Sequence, residues 1–238
     1  MANVSILIED PDLGADLDAD SRSRAMRASV ARVISLGEGS WEAEGATTAA
    51  ERRGWFGLLV LSGVLCRRVG QGERYGSELL GTGDLLRPWD RIADLTTLPV
   101  DSDWSVVTPV ELAVLDHEFA RRTAQFPELS ASLISRALQR SRYLAVLAAI
   151  ASQPRVETRL HMLFWHLADR FGTLSGKSVT ISLPLTHSML GELVAARRQS
   201  VSSGLSALSS RGILDRNGRE WLLSGPVPTA YENLRDLN

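Results

Sequence analysis

Residues Thr186–Leu214 read THSMLGELVAARRQSVSSGLSALSSRGIL, and this stretch decides the fold of the C-terminal part of the chain. It predicts two helices joined by a tight turn, because its apolar residues recur at intervals of three and four. Thr186 is a suitable N-cap for the first helix, and Arg211-Gly212 is a typical end for the second. The apolar positions are Met189, Leu190, Leu193 and Val194 in the first helix and Val201, Leu205 and Leu208 in the second.

The turn and the beginning of the second helix carry small, basic and polar side chains. Residues 195–200 read Ala-Ala-Arg-Arg-Gln-Ser. Arginine can pair with the edge of guanine, glutamine with adenine, and a serine hydroxyl with a phosphate. A second helix that begins in this way fits the major groove of DNA, so the stretch predicts a helix-turn-helix.

The neighbouring segments predict a winged form of this motif. A helical period over residues 156–171 and a short strand over residues 179–183 precede it. Asn217-Gly218 follows between two apolar strands, which is a strong hairpin signal. Helix, strand, helix, helix and hairpin is the order of a winged helix-turn-helix.

The charge of the chain is unevenly distributed. The 238 residues have a net charge of -2, so the whole molecule is not a basic nucleic-acid binder. Residues 154–225, however, contain nine cations and five anions, a net charge of +4. This local excess has the sign that a DNA-binding end needs.

The first half of the chain has a different pattern. Residues 1–20 predict an acidic tail, because aspartates dominate them, and residues 22–36 have apolar residues at the spacing of a short helix. Residues 54–115 are short apolar runs separated by glycine-containing turns. Short strands at this spacing, without long helices between them, predict an antiparallel β-barrel or jelly-roll-like domain.

A long helical period joins the two halves. Apolar residues recur at helical spacing from Leu129 to Ala151, and Pro154 ends the pattern. A stripe of this length needs a partner surface, which is either its own domain or a second copy in a two-fold coiled coil. The near-heptad spacing favours the coiled coil. The predicted dimer-helix residues are Leu133, Ile134, Ala137, Leu144, Leu147 and Ala151.

This order of segments resembles the Crp–Fnr family of bacterial transcription regulators. The run from Thr180 to Val194 is similar to the family's motif before the recognition helix, and residues 198–202 are similar to the start of that helix. The resemblance implies an α+β fold with an N-terminal antiparallel β-roll or jelly-roll-like sensor domain that is cyclic-nucleotide-binding-like. The predicted segments are an acidic tail at 1–20, the sensor domain at 21–125, a dimerisation helix at 126–153 and the winged helix-turn-helix at 154–238.

The resemblance also implies roles for individual residues. Arg198 would read guanine, and Gln199 and Ser203 would contact base edges. Gln199 stands where the family commonly has glutamate, and glutamine prefers adenine, so we expect a different half-site. The complete set of predicted DNA-binding residues is Thr186, His187, Arg197, Arg198, Gln199, Ser200, Ser202, Ser203, Arg216 and Arg219, of which Thr186, Ser200 and Ser202 would contact phosphates.

The sensor domain departs from the family's cyclic-nucleotide pocket. Gly83-Asp84 resembles the end of the strand before the pocket, but Arg87-Pro88-Trp89 replaces a Gly-Glu-Leu motif. Pro88 has no N–H for a phosphate and no carboxylate for a ribose. Asp101 places an anion near the position of a phosphate-binding arginine. The candidate effector-pocket residues are Gly83, Asp84, Arg87, Trp89 and Asp101, and we expect that cyclic AMP does not bind there.

The remaining chemistry of the chain is sparse. A single cysteine, Cys66, excludes an internal disulfide and is expected to be buried, and the four histidines are not at metal-ligand spacing. We therefore expect no metal, no cofactor and no enzymatic activity. No apolar run approaches the ~18 residues of a membrane span, and the N-terminus lacks a signal-peptide pattern, so a cytoplasmic protein is expected.

The predicted partners are double-stranded DNA, a second copy of the chain and RNA polymerase, with an unknown effector and no membrane. Two alternatives stay open. In one, the winged helix of a sensor or interaction module contacts a protein partner. In the other, the chain is a regulator that responds to a cyclic nucleotide through an atypical pocket.

Overall fold

A computed structural model describes residues 3–43, 56–90, 96–176 and 178–227. Their contacts divide the chain into two compact units. One contains residues up to Gln71 and from Glu78 to Tyr143, and the other contains Gly72–Ser77 together with residues from Leu144 onward. Residues 228–238, the end of the predicted winged domain, lie outside the described residues.

The first unit is built around an antiparallel sheet. Its order is β1-β2-β7-β4-β5, with β3 paired to β7 and β6 paired to β4. The strands are β1 (Asn3–Ser5), β2 (Val30–Leu36), β3 (Gly39–Ser40), β4 (Gly57–Gln71), β5 (Arg74–Leu80), β6 (Leu85–Leu86) and β7 (Asp101–Leu115). The predicted antiparallel β-domain is thus present.

Both faces of β4 are buried near its beginning, and both faces of β7 are buried near its end. Successive residues of a strand point to opposite faces, so neighbours on β4 and β7 enter different hydrophobic clusters. Leu58 and Leu112 lie in one cluster with Trp89, whereas Leu59 and Ala113 lie in the other. Cys66 on β4 is buried, as predicted.

The N-terminal segment is not a tail, and that prediction is wrong. β1 pairs with β2 from Asn3 to Ser5, followed by helix α1 (Ile6–Glu9), a 3-10 turn (Pro11–Gly14) and helix α2 (Ala19–Ala28). Ile6 and Leu13 are almost completely buried in the core. The few apolar side chains between the aspartates are therefore enough to anchor the segment.

The predicted helix over residues 22–36 is also corrected. α2 ends at Ala28, and residues 30–36 form β2, which pairs with β7. Val30, Val33 and Ile34 are β-branched, and such residues fit a pleated sheet better than a helix.

Two helices follow the sheet, α3 (His117–Thr123) and α4 (Pro127–Ala151). Asp116 caps α3 by accepting a hydrogen bond from the Phe119 N–H at 2.8 Å. Pro127 is the first residue of α4, where its missing N–H costs nothing. α4 is 25 residues long.

The second unit combines three helices and a small sheet. The helices are α5 (Val156–Phe171), α6 (His187–Leu193) and α7 (Arg198–Ser210). The strands are β8 (Gly172–Ser175), β9 (Ser178–Ile181), β10 (Leu214–Asn217) and β11 (Glu220–Leu223), in the antiparallel order β10-β11-β9-β8. β8 pairs with β9 from Gly172 to Ser175.

The core of this unit lies between α5, α7 and the sheet. Phe164 of α5 packs against Trp221 of β11 with ring centroids 4.9 Å apart. Gly204 lets α7 approach α5, because a Cβ there would lie 2.8 Å from the Leu160 side chain. Gly218 in the predicted hairpin has a φ of +60°, as such a turn requires. In the part of the chain that the structure describes, no helix has the length and hydrophobicity to cross a membrane.

Candidate nucleic-acid interface

Helix α6 begins at the predicted cap. Thr186 has an extended backbone, and its hydroxyl accepts a hydrogen bond from the Met189 N–H at 3.2 Å. Leu190 and Leu193 are buried and hold α6 against the core. The cap fixes where the helix starts, so it also fixes the position of the Thr186 side chain.

The turn after α6 has a demanding geometry. Ala195 has a φ of +51°, which only glycine adopts without cost. The Ala196 N–H donates to the Gly191 carbonyl at 2.8 Å, and a Cβ on Gly191 would lie 2.6 Å from the Ala196 carbonyl oxygen. The turn therefore needs glycine at 191. Sequence reasoning missed this requirement, although a glycine inside a helical pattern is its signal.

Helix α7 presents its N-terminal turn to solvent. Val201 and Leu208 are buried, which fixes the rotation of the helix about its axis. The predicted DNA-contacting residues on the opposite side are exposed, namely Arg197, Arg198, Gln199, Ser200 and Ser203. The structure therefore brings the basic and polar residues of this stretch to one accessible surface.

His187 links the two helices of the motif. Its Nδ1 lies 2.9 Å from the Ser202 hydroxyl, which also donates to the Arg198 carbonyl at 3.2 Å. A serine hydroxyl has one proton and can accept as well, so Ser202 can bond to both His187 and the Arg198 carbonyl. The contact joins the first turn of α6 to the first turns of α7.

An open cavity of about 470 Å³ lies beside these residues. It is lined by Thr186, His187, Ser188, Arg198 and Arg216. Two guanidinium groups, two hydroxyls and an imidazole suit an anion with several oxygens, such as a DNA phosphate. The sequence analysis did not include Ser188 among the DNA-binding residues. Only its position in the first turn of α6 could have indicated such a role.

The hairpin of β10 and β11 supplies Arg216. The Arg216 guanidinium lies over the Trp221 ring, 4.8 Å from the centroid, and its Nε donates to the Gly218 carbonyl at 3.0 Å. These contacts hold the side chain close to the sheet. Arg219 is exposed in the turn of the same hairpin.

One predicted dimer-helix residue lies on another side of α4. Leu133 is completely buried in the core of the first unit, so its assignment to an intermolecular seam is wrong. Ile134 and Leu144 are 57% and 38% exposed, and Ala137 is exposed. Leu147 and Ala151 are half-buried.

Four of the candidate effector residues, Gly83, Asp84, Arg87 and Trp89, have local structural roles in the first unit. The Gly81 N–H donates to the Asp84 carboxylate at 2.8 Å, within a turn that contains Gly83. Arg87 forms an ion pair with Asp90 at 2.8 Å. Trp89 is buried in the hydrophobic core.

Asp101 is exposed at the beginning of β7, opposite Gly70 of β4, whereas β6 pairs with β4 at Leu58 and Leu59. The structure thus brings Gly83 and Asp84 together in one turn but shows no contact between them and Asp101 among the described residues.

Residues 158–224 match the family model of the Crp-like helix-turn-helix domain. This segment is a Crp-like helix-turn-helix domain. One relative is the CRP-like cAMP-activated global transcriptional regulator of Mycobacterium tuberculosis. It is 27% identical over 170 residues, which cover 70% of this chain and 74% of that protein.

Solved structures show the same fold. A cyclic nucleotide-binding domain containing protein from Listeria monocytogenes aligns with a TM-score of 0.66 and 12% identity, over 90% of this chain and 96% of that one. A mutant of CooA from Carboxydothermus hydrogenoformans aligns with a TM-score of 0.58 and 17% identity, over 87% of each chain. At these identities the likeness concerns the fold alone.

The resemblance to the Crp–Fnr family is therefore confirmed, as is the α+β fold class. The chain contains a Crp-like helix-turn-helix domain, and over most of its length it is similar to a CRP-like transcriptional regulator. Three points stay predictions. They are the contacts of individual residues with DNA, the formation of a dimer, and whether the sensor domain binds cyclic AMP.

Proposed function

We propose that the protein is a homodimer that binds a pseudo-palindromic operator through α7. The observation that carries this proposal is the exposed N-terminal turn of α7 beside the cationic cavity. A recognition helix reads bases with its N-terminal residues while neighbouring groups hold the phosphates. Because its partner is DNA, we place the protein in the cytoplasm, and RNA polymerase is a further proposed partner.

We assign base reading to Arg198, Gln199 and Ser203. All three side chains are exposed on α7. Arginine forms a bidentate pair with guanine, and glutamine forms one with adenine, so the half-site should contain both bases. Thr186, His187 and Arg216 line the cavity and are proposed to hold one phosphate.

We assign the dimer seam to the exposed face of α4. Six positions follow the alternating three-and-four spacing of a coiled-coil seam. Ile134 and Leu144 supply the large apolar side chains, and Leu138, which is 57% exposed, flanks them. The small residues between them would allow two helices to approach closely. The six positions are Ile134, Ala137, Ser141, Leu144, Ala148 and Ala151, and the predicted residue Leu147 flanks them.

We propose that the sensor domain does not bind cyclic AMP. The Asp84 carboxylate is used in its own turn, and Arg87 is paired with Asp90. Pro88, which is buried, has no N–H to offer a phosphate.

The test is a selection of bound sequences from random DNA, with and without cyclic AMP or cyclic GMP. We expect two inverted half-sites, with centres about 34 Å apart or a multiple of this distance. Affinity should fall steeply between roughly 50 and 200 mM salt, because phosphate contacts release counterions.

Recovery of no preferred sequence, with binding insensitive to salt, would favour a protein partner for the winged helix. A strict requirement for a cyclic nucleotide would overturn the assignment of the sensor domain.

A further inference from the structure

Arg159 on α5 donates hydrogen bonds to two separate segments of the second unit. Its Nε donates to the Gln153 carbonyl at 2.5 Å, and its Nη1 donates to the carbonyls of Val194 and Ala195 at 3.1 Å each. The side chain is half-buried, which limits the competition of water for these bonds. One guanidinium therefore connects the segment before α5 with the turn before α7.

The first of these segments is fixed to the end of α4. The Gln153 N–H donates to the Ile150 carbonyl at 3.1 Å, and the Ser152 N–H donates to the Ala148 carbonyl at 3.1 Å. Ile150 is completely buried. The Gln153 carbonyl thus moves with the last turn of α4.

The second segment contains carbonyls that a helix leaves without intrahelical partners. Val194 and Ala195 follow the last turn of α6, where the final carbonyls have no N–H within the helix. A cation at a helix C-terminus is also favourable. Ala195, at a φ of +51°, belongs to a strained backbone that needs support from its surroundings.

The hydrogen bonds that connect these two segments require arginine. A guanidinium has five N–H donors in a fixed planar arrangement, so it can bond carbonyls in two directions at once. A lysine ammonium keeps the charge but has a single nitrogen, and it cannot span the same carbonyls with the same geometry. This distinction provides a test that separates charge from geometry.

We propose that Arg159 is a positioning residue, which fixes the recognition helix α7 relative to the end of the dimer helix α4. Its contact with Gln153 closes the α4–α5 connection, and its contacts with Val194 and Ala195 close the turn that leads into α7. This inference rests on the proposed function, in which two copies present α7 to two half-sites. The spacing of the half-sites would then depend on Arg159.

The experiment compares operators that differ only in the spacing between their half-sites. The chains are the wild type, Arg159→Lys and Arg159→Gln, with Arg155→Gln as the control that removes a nearby exposed arginine. The DNA is the selected operator and versions with one base pair inserted or removed at its centre. Urea unfolding establishes that each variant is folded under the binding conditions.

We expect the wild type and Arg155→Gln to prefer the selected spacing strongly. In Arg159→Lys and Arg159→Gln this preference should shrink on the order of tenfold, because α7 is no longer fixed relative to α4. An equal loss of affinity at every spacing would overturn the inference, since it would show that Arg159 only supports the turn. An unchanged preference in Arg159→Lys would overturn it as well.

Amide hydrogen exchange without DNA separates this inference from the proposed function. The Gln153 and Ala196 amides should lose protection together in Arg159→Lys, while amides in the middle of α5 keep theirs. If both amides lose protection in Arg159→Lys but the wild type prefers no operator sequence, the role of Arg159 in joining the two segments is supported and the proposed function is overturned. Loss of protection at only one of the two amides would contradict the claim that Arg159 joins the two segments.

Discussion

Replacing Leu144 by glutamate should dissociate the proposed dimer. Leu144 is 38% exposed, and it lies at the middle of the seam that begins at Ile134. In a two-fold coiled coil the same position meets its own copy, or its near neighbours, on the partner helix. Each substitution therefore acts twice, and two carboxylates would approach each other.

The magnitude follows from the exposed surface. Burying a whole leucine contributes about 1.5–3 kcal/mol, so covering the exposed part of two copies of Leu144 contributes about 1–2 kcal/mol. Removing two carboxylates from water adds a further cost, because neither has a cation on the seam to pair with. We expect a total loss of about 3–4 kcal/mol, which weakens dimerisation roughly 10²–10³-fold.

Sedimentation equilibrium over a range of protein concentrations measures this loss. Ser135→Glu is the matched control, because it adds the same charge to an exposed position of α4 that is off the seam. Ser135→Glu should sediment as the wild type does, whereas Leu144→Glu should be a monomer at concentrations where the wild type is a dimer. Equal association of Leu144→Glu and the wild type would refute the seam.

Two further predictions concern the second unit. Gly191→Ala should lower the free energy of unfolding by about 1–3 kcal/mol, because its Cβ meets a backbone oxygen that cannot move freely. Gly204→Ala should cost less, since its Cβ meets the movable end of a leucine and alanine favours a helix; equal losses in urea unfolding would contradict this contrast. His161 accepts a hydrogen bond from Trp165 Nε1 at 3.2 Å, and burial lowers the pKa of His161 in the folded chain. The unfolded state therefore takes up the proton first, so the free energy of unfolding should fall as the pH drops through about 6.5, and His161→Gln should make this pH dependence less steep. A slope unchanged by His161→Gln would contradict this assignment.

The helix-turn-helix was predictable because its signals are local. A cap, a helical period and the Asn217-Gly218 turn each depend on a few consecutive residues, and the structure has the corresponding elements at these positions. The same local reading missed the conformation of Ala195, because alanine gives no sign of a positive φ. It also could not show that the Arg159 side chain reaches residues 35 and 36 positions away.

The N-terminal segment shows where composition misled the interpretation. Its aspartates suggested a solvated tail, yet Ile6 and Leu13 are buried against strands and helices far along the chain. The burial of these side chains depends on partners that a local pattern does not identify. β2 was misread for a related reason, since Val30, Val33 and Ile34 satisfy a helical spacing by chance and a strand by residue type.

α4 shows the limit of a periodic pattern. The sequence predicted the helix, but a stripe of apolar residues does not distinguish the side that meets its own domain from the side that meets another copy. Leu133 and Ile134 are neighbours in sequence, and one is fully buried while the other is 57% exposed. Only the folded chain separates the two faces.

The most direct test of the central claim is a thermodynamic cycle between Arg198 and the guanine that it is proposed to read. Affinities are measured for the wild type and Arg198→Ala, each on the selected operator and on the same operator with that guanine replaced in both half-sites. For the wild type, we expect the replacement to cost about 1–3 kcal/mol per half-site. For Arg198→Ala, the replacement should cost almost nothing, because the pair is already broken. An equal cost for both proteins would contradict the claim that α7 reads the operator through Arg198.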